Sequence, residues 1–348
     1  MPCKRCEQLN TIPQNNIQTY ISLPTFHHEH VLNKLLKEDN IAYTFNTNHY
    51  IIDVPDFKAF VFFLDNMFNT LEKKDILLLP YDPAQGITAY NIHALKSLLE
   101  WKHYYAAQPL KELIEYERVS MAFQPIVDKG SREVIGNEIL LRGFHDDGSV
   151  YPPAQMFHDA KRYDLIFNLD EFARKTAIKT ANNAKVKTML FINFIPTSIY
   201  DPKRCLQSTN KVIRETHFKP KDIVFEVVET EKIEDFDHLN YILNFYRQQG
   251  YKTALDDVGS GYATDEALIN LRPDIIKIDR SIIQDIDTNS NKQQRLDHFI
   301  ALAKDNNIKI LAEGVETEAE ANYLDAMDID YFQGYYFGKP DYIPYPHQ

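Results

Sequence analysis

The chain has 348 residues, 44% hydrophobic and 25% charged, which is enough core material for one large domain and a smaller one. Its formal net charge of −12 argues against a nucleic-acid polymer as partner, because sequence-independent binding needs a basic surface. An anionic small molecule stays compatible, since bound metal ions invert a local field.

The N-terminal stretch MPCKRCEQLNTIPQ lacks the apolar core of a signal peptide. No apolar run approaches the roughly 18 residues of a membrane span, so a soluble cytoplasmic protein is expected. Cys3, Cys6 and Cys205 are too few for a disulfide framework. Cys3 and Cys6 have metal or redox spacing, but a zinc site needs four ligands, which His27, His28 and His30 would have to complete. A pair of reduced thiols is the plainer reading.

Residues 1–110 read as a small α/β domain. TYISLP (19–24) predicts a strand, and Leu32, Leu35 and Leu36 a helix over 28–39. Residues 41–55 predict two strands meeting at Asn46–Asn48. Phe60, Phe63, Leu64, Met67 and Leu71 predict a helix over 56–74, and DILLLPY (75–81) a buried strand. A helical stretch around 91–117, with Pro109 able to start a new helix, links this domain to the next.

From about residue 112 a rhythm begins. Eight apolar, β-branched runs recur: SMAFQPIVD, EVIGNEILLRG, TMLFINFIP, DIVFEVVET, YKTALDDVG, DIIKIDR, IKILAEGVE and YFQGYYF. Helical stretches such as 169–184, 235–249, 292–305 and 317–327 separate the later ones. Strands alternating with helices mean a parallel sheet covered by helices, and eight units suggest a (β/α)8 TIM-like barrel over 111–348. Only KGSRE (129–133) joins the first two runs, too short for a parallel crossover, so the first strand should be antiparallel.

Active sites of such barrels lie at the C-terminal ends of the strands. Each run breaks its apolar pattern with a polar residue there: Glu138, Asn193, Glu226, Asp256 with Asp257, Lys277 with Asp279, Glu313 with Glu316, and Gln333. Gln124 lies early in the first run, and the reversal brings it to the same face, opposite Glu138. Five converging carboxylates need counter-charge. Oxygen ligands with an amide carbonyl and no histidine suit Mg²⁺ or Mn²⁺ better than zinc. Two ions sharing a bridging Asp would use so many carboxylates, and two metals about 3.5–4 Å apart serve in-line attack on a phosphodiester. Lys277 would add positive charge or position the attacking water. A single acid at a strand end is commonly just solvated; the repetition on strand after strand is what carries the reading.

Over about residues 112–348 these segments resemble the EAL-domain family of cyclic di-guanylate (c-di-GMP) phosphodiesterases. FQPIV, NEILLRG, INFIP, EVVE, DDVGSGY, IKID, AEGVE and QGYYFGKP follow the family's motifs in order. The resemblance implies hydrolysis of c-di-GMP to linear pGpG with two Mg²⁺ or Mn²⁺ ions and inhibition by Ca²⁺. It assigns Glu138, Asn193, Glu226 and Asp256 to one metal, and Asp256, Asp257 and Glu313 to the second. Lys277 and Glu313 match the water-positioning or general-base positions. Arg142 would contact phosphate, and Gln124, Asp279, Glu316 and Gln333 would line the substrate or stand directly behind the residues that do. Glu229 matches the acid that orders the loop after the fifth strand. A homodimer through the barrel and a sensory or protein-binding role for residues 1–110 are also implied.

The chain departs from the family pattern at Ile139, Val228, Val258 and the polar ATDEA (263–267), which leaves dimerisation and its coupling to activity open. A receptor that binds the dinucleotide without cutting it and signals through a partner is the alternative; a metal-dependent lyase or isomerase on the same barrel fits the motifs less well.

Overall fold

The structure is a computed structural model describing residues 17–46, 49–88, 91–196, 199, 201–227, 236–260 and 265–345. Two units emerge, Met1–Lys111 and Glu112–Gln348.

The first unit carries β1 (Ile17–Ser22), β2 (Tyr43–Asn46), β3 (His49–Val54), β4 (Leu77–Tyr81) and β5 (Lys96–Ser97), in the antiparallel order β2-β3-β1-β4-β5. Side chains alternate along a strand. Ile17, Thr19 and Ile21 are accordingly buried on one face, opposite Val54, Ile52 and Tyr50. Helices Phe26–Glu38, Phe57–Asp65 and Leu98–Ala106 add Leu32, Leu36, Phe57, Val61, Leu64 and Trp101 to that core. The buried indole of Trp101 donates to the carbonyl of Leu78 at 3.0 Å.

The helix expected over 56–74 is two pieces, Phe57–Asp65 and Glu72–Asp75, and Leu71 is exposed. The cause is a reciprocal cap. Asn69 Oδ1 accepts from the backbone N–H groups of Leu71 and Glu72, and Glu72 Oε2 accepts from that of Asn69. This starts a new helix where the periodicity suggested a continuing one.

The second unit contains β6 (Val119–Asp128), β7 (Val134–Phe144), a short β8 (Val150–Tyr151), β9 (Met189–Phe194), β10 (Ile223–Val227), β11 (Lys252–Val258), β12 (Ile275–Ile278), β13 (Lys309–Ala312) and β14 (Tyr331–Gln333). All eight expected runs form strands. From β7 through β9 to β14 neighbours pair parallel, while β6 pairs antiparallel with both β14 and β7 and closes the barrel. The turn into β7 is fixed by Asp128 Oδ1, which accepts from the backbone and hydroxyl of Ser131. Helices Ile166–Asn183, Phe236–Gln248, Ser290–Asp305 and Glu318–Asp325 match the expected ones; Pro153–Arg162, Pro202–Arg214 and Asp265–Leu271 are among the others. No helix among the described residues is long and apolar enough to cross a membrane.

One buried layer inside the barrel is apolar: Ile126, Phe191, Val224, Ala254, Ile275, Leu311 and Tyr331. A strand returns to the same face every second residue. Two positions further along each parallel strand stand Asn193, Glu226, Asp256, Lys277, Glu313 and Gln333. On the reversed β6 the step runs backwards, from Ile126 to Gln124. On β7 it runs from Gly136 to Glu138; a Cβ at Gly136 would lie 2.6 Å from the Phe191 ring, which takes that space. An apolar plug thus carries a polar layer directly above it.

Candidate active site

Glu138, Glu226, Asp256, Lys277 and Gln333 in this layer are buried. Glu138 lies inside β7 rather than at its end, because β7 runs six residues further and pairs with β8. Gln124 stands directly opposite it in the β6–β7 register. Two amides hold its carboxylate: Asn193 Nδ2 donates to Oε1 at 3.2 Å, and Gln333 Nε2 to Oε2 at 2.6 Å.

Lys277 is the hub. Its Nζ lies 2.7 Å from Glu313 Oε1, 2.9 Å from Glu226 Oε1, 3.0 Å from Asp256 Oδ1 and 3.8 Å from Glu138 Oε2. The ammonium thus meets Glu226 Oε1, while Glu226 Oε2 has no hydrogen-bond partner. Burial opposes the ammonium charge, but Asp256, Glu138, Glu226 and Glu313 outweigh it and hold the Lys277 pKa well above the usual value. Burial, reinforced by neighbouring carboxylates and only partly offset by Lys277, pushes the pKa values of Glu226 and Glu313 well above the carboxylate range.

Asp257 should point away from Asp256 on a regular strand. It does not, because the β11–β12 register shifts between Leu255 and Val258 and Asp257 adopts φ +55°, a left-handed conformation that Asp tolerates. The bulge turns both carboxylates to one side. Oxygens of Asp256, Asp257 and Glu313 all lie within 4.8 Å of one another, a group able to hold a cation. Burial, then Asp256, raise the Asp257 pKa to about 6.

The donor set also fits a cation beside Glu226. Asn193 Oδ1 and Glu226 Oε2 are buried without hydrogen-bond partners. A buried oxygen left open in this way is costly unless something positive completes it.

The remaining expected residues are more dispersed. Arg142 lines a cavity of about 580 Å³ that also reaches Asn193 and Asp256, and its Nη1 donates to the carbonyl of Leu141. Ile139 lines the same cavity. Asp279 caps the short helix Arg280–Ile283 through the Ser281 N–H, and Glu316 pairs with Arg280 at 3.0 Å. Glu229, Val228, Cys3 and Cys6 lie outside the described residues. Sequence reasoning missed Asp170, which lines the cavity, and its partner Arg174. Their signal was two opposite charges four residues apart on an otherwise apolar helix face.

A sequence-family model described as EAL domain matches residues 107–340. The chain is 30% identical over 238 residues to "Probable cyclic di-GMP phosphodiesterase PdeG" of Escherichia coli (strain K12), covering 66% of this chain and 46% of that protein. It spans less than half the length of the curated relatives first matched. Its fold resembles a standalone versatile EAL protein from Vibrio cholerae O395 in c-di-GMP bound form, with TM-score 0.60, 35% identity, and coverage of 66% of this chain and 94% of that one. It also resembles Klebsiella pneumoniae BlrP1 in a manganese/cy-diGMP complex, with TM-score 0.59, 21% identity, and coverage of 93% and 96%; at that identity the likeness concerns the fold alone.

Proposed function

This chain belongs to the EAL domain family, and from that premise we propose that it hydrolyses c-di-GMP to linear pGpG with two divalent cations, Mg²⁺ or Mn²⁺. One observation carries the reading: among the described residues of the polar layer and its bulge, five carboxylates face a single ammonium while Asn193 Oδ1 and Glu226 Oε2 stay open. Two divalent cations would balance that excess when every carboxylate is ionised. Glu138, Asn193, Glu226 and Asp256 would hold one; Asp256, Asp257 and Glu313 the other. When bound, the cations supply positive charge to the phosphodiester transition state and acidify the attacking water.

The side chains do the rest. Glu138 is held in one orientation by Asn193 and Gln333. Lys277, against Glu313 and Asp256, would orient the water and oppose charge growing on the phosphate. Arg142 offers a guanidinium fork for a phosphate at the cavity, whose apolar wall suits a base. The 35% identical Vibrio relative with bound c-di-GMP supports the choice of substrate. Regulation by residues 1–110 and homodimerisation through the barrel complete the proposal.

Incubation with c-di-GMP and Mn²⁺, followed by chromatography, should yield pGpG. Glu138→Ala should abolish it, and Ca²⁺ should inhibit because its looser coordination misplaces the in-line geometry. Wild-type turnover by Glu138→Ala would sink the assignment. Tight dinucleotide binding with no product after long incubation would identify a receptor instead.

A further inference from the structure

Helix Ile166–Asn183 buries Leu169, Phe172, Ala177, Ile178 and Ala181, yet two charged residues share that buried face, Asp170 at 3% exposure and Arg174 at 1%. Burying an ion pair costs desolvation that the attraction does not reliably return, and apolar residues of similar volume commonly serve stability as well. Packing alone therefore does not account for the pair.

Its hydrogen bonds do. Arg174 Nε and Nη2 reach Asp170 Oδ2 at 3.0 and 2.9 Å, and Nη1 donates to Thr209 Oγ1 of helix Pro202–Arg214 at 2.7 Å. The guanidinium is thus fixed from two helices. Asp170 Oδ1 remains, and it accepts from the backbone N–H of Ile195 at 3.0 Å. Ile195 is the first residue past β9, next to the Phe194↔Val227 pair of the β9–β10 ladder. It lies two residues beyond Asn193, whose Oδ1 is open. Asp170, Asn193 and Ile195 border the same cavity.

We propose that Arg174 is a positioning residue for the cation site: it clamps Asp170 onto the Ile195 N–H, which fixes the end of β9 and the direction in which Asn193 presents Oδ1. The inference rests on the metal-dependent reading above. Groups hydrogen-bonded directly to metal ligands govern affinity by about 10–100-fold elsewhere; Asp170 acts two residues from Asn193, so the lower end of that scale is expected here.

The test uses the full chain and Mn²⁺ titrated by calorimetry with no dinucleotide present. In the double variant D170L/R174M both charges are removed, so no unpaired charge remains in the core. It should stay folded at a somewhat lower melting temperature, because the bonds to Thr209 and to the Ile195 N–H are lost, bind Mn²⁺ about tenfold more weakly, and need correspondingly more Mn²⁺ for half-maximal turnover. Arg174→Lys keeps the charge but not the fork, and should weaken Mn²⁺ binding by an intermediate factor. A folded double variant with wild-type Mn²⁺ affinity overturns the inference; if the double variant does not fold, wild-type affinity in Arg174→Lys overturns it. Wild-type protein that binds Mn²⁺ but releases no pGpG overturns the phosphodiesterase reading and leaves this one standing, whereas wild-type protein that binds no Mn²⁺ overturns both.

Discussion

Lys277 occupies the one position of the polar layer where a fixed positive charge touches four acids, at 2.7 to 3.8 Å. In metal-free protein it is the cluster's internal counter-ion. Removing one partner of a buried charge group leaves the others unpaired, so Lys277→Met should destabilise the metal-free protein by about 3–5 kcal/mol. Cations bound to the same acids would supply the missing charge and stabilise the folded form by mass action. Denaturation in chelator and in Mn²⁺ should therefore show most of the loss only in chelator; an equal loss in both would mean the acids do not gather a cation. The opposite change is expected at Asp257. Asn fits the left-handed φ of +55° and removes one of the clustered like charges. Asp257→Asn should raise the metal-free melting temperature and shrink the further rise that Mn²⁺ produces, both readable in the same melts.

The elements that carry these residues tolerate little change where backbones meet. Gly334 follows the β14 residue Gln333, and a Cβ on it would lie 2.1 Å from the Val315 carbonyl oxygen and 2.3 Å from the Val315 nitrogen. Those backbone atoms are themselves tied down, since Val315 N–H donates to the Gln333 carbonyl and Tyr336 N–H to that of Val315. Gly334→Ala should cost roughly 3 kcal/mol, the upper end for overpacking; an unchanged urea midpoint would contradict this close approach. The strands themselves were legible as runs of Val, Ile, Leu and Phe, and the short KGSRE link revealed the reversed first strand. The polar layer was legible too, because the period of two that puts Phe191, Val224 and Ala254 inside puts Asn193, Glu226 and Asp256 inside as well. The bulge was not. Asp256–Asp257 reads alike whether the second acid faces in or out, and the β11–β12 register shift decides it. The Asn69–Glu72 cap was masked by apolar residues at helical spacing on both sides of it. The buried Asp170–Arg174 pair looks in sequence like any solvated pair four residues apart, and only the apolar residues sharing its face mark it as interior.

At the scale of the whole chain, the division at Lys111 falls within a helix, Gln108–Glu115. The boundary expected from the onset of the strand rhythm, after residue 110, cuts the same helix. Leu113 of this helix is fully buried, and its Cδ1 would lie 2.8 Å from a Cβ at Gly143, so it packs into space that a β7 glycine leaves open. The family match likewise begins at residue 107, ahead of the helix. A fragment of residues 107–348 should therefore melt cooperatively and retain Mn²⁺-dependent release of pGpG. A fragment starting at residue 116 loses Leu113 and should be less stable by about 2–5 kcal/mol, as for other large core deletions. The comparison also measures regulation. If residues 1–106 restrain the barrel, the 107–348 fragment turns over faster than the full chain at the same Mn²⁺ concentration; if they activate it, the fragment is slower. Equal rates would remove regulation from the proposed role of the N-terminal unit, whose own core of Ile21, Leu32, Tyr50, Val61 and Trp101 gives it the means to fold without the barrel.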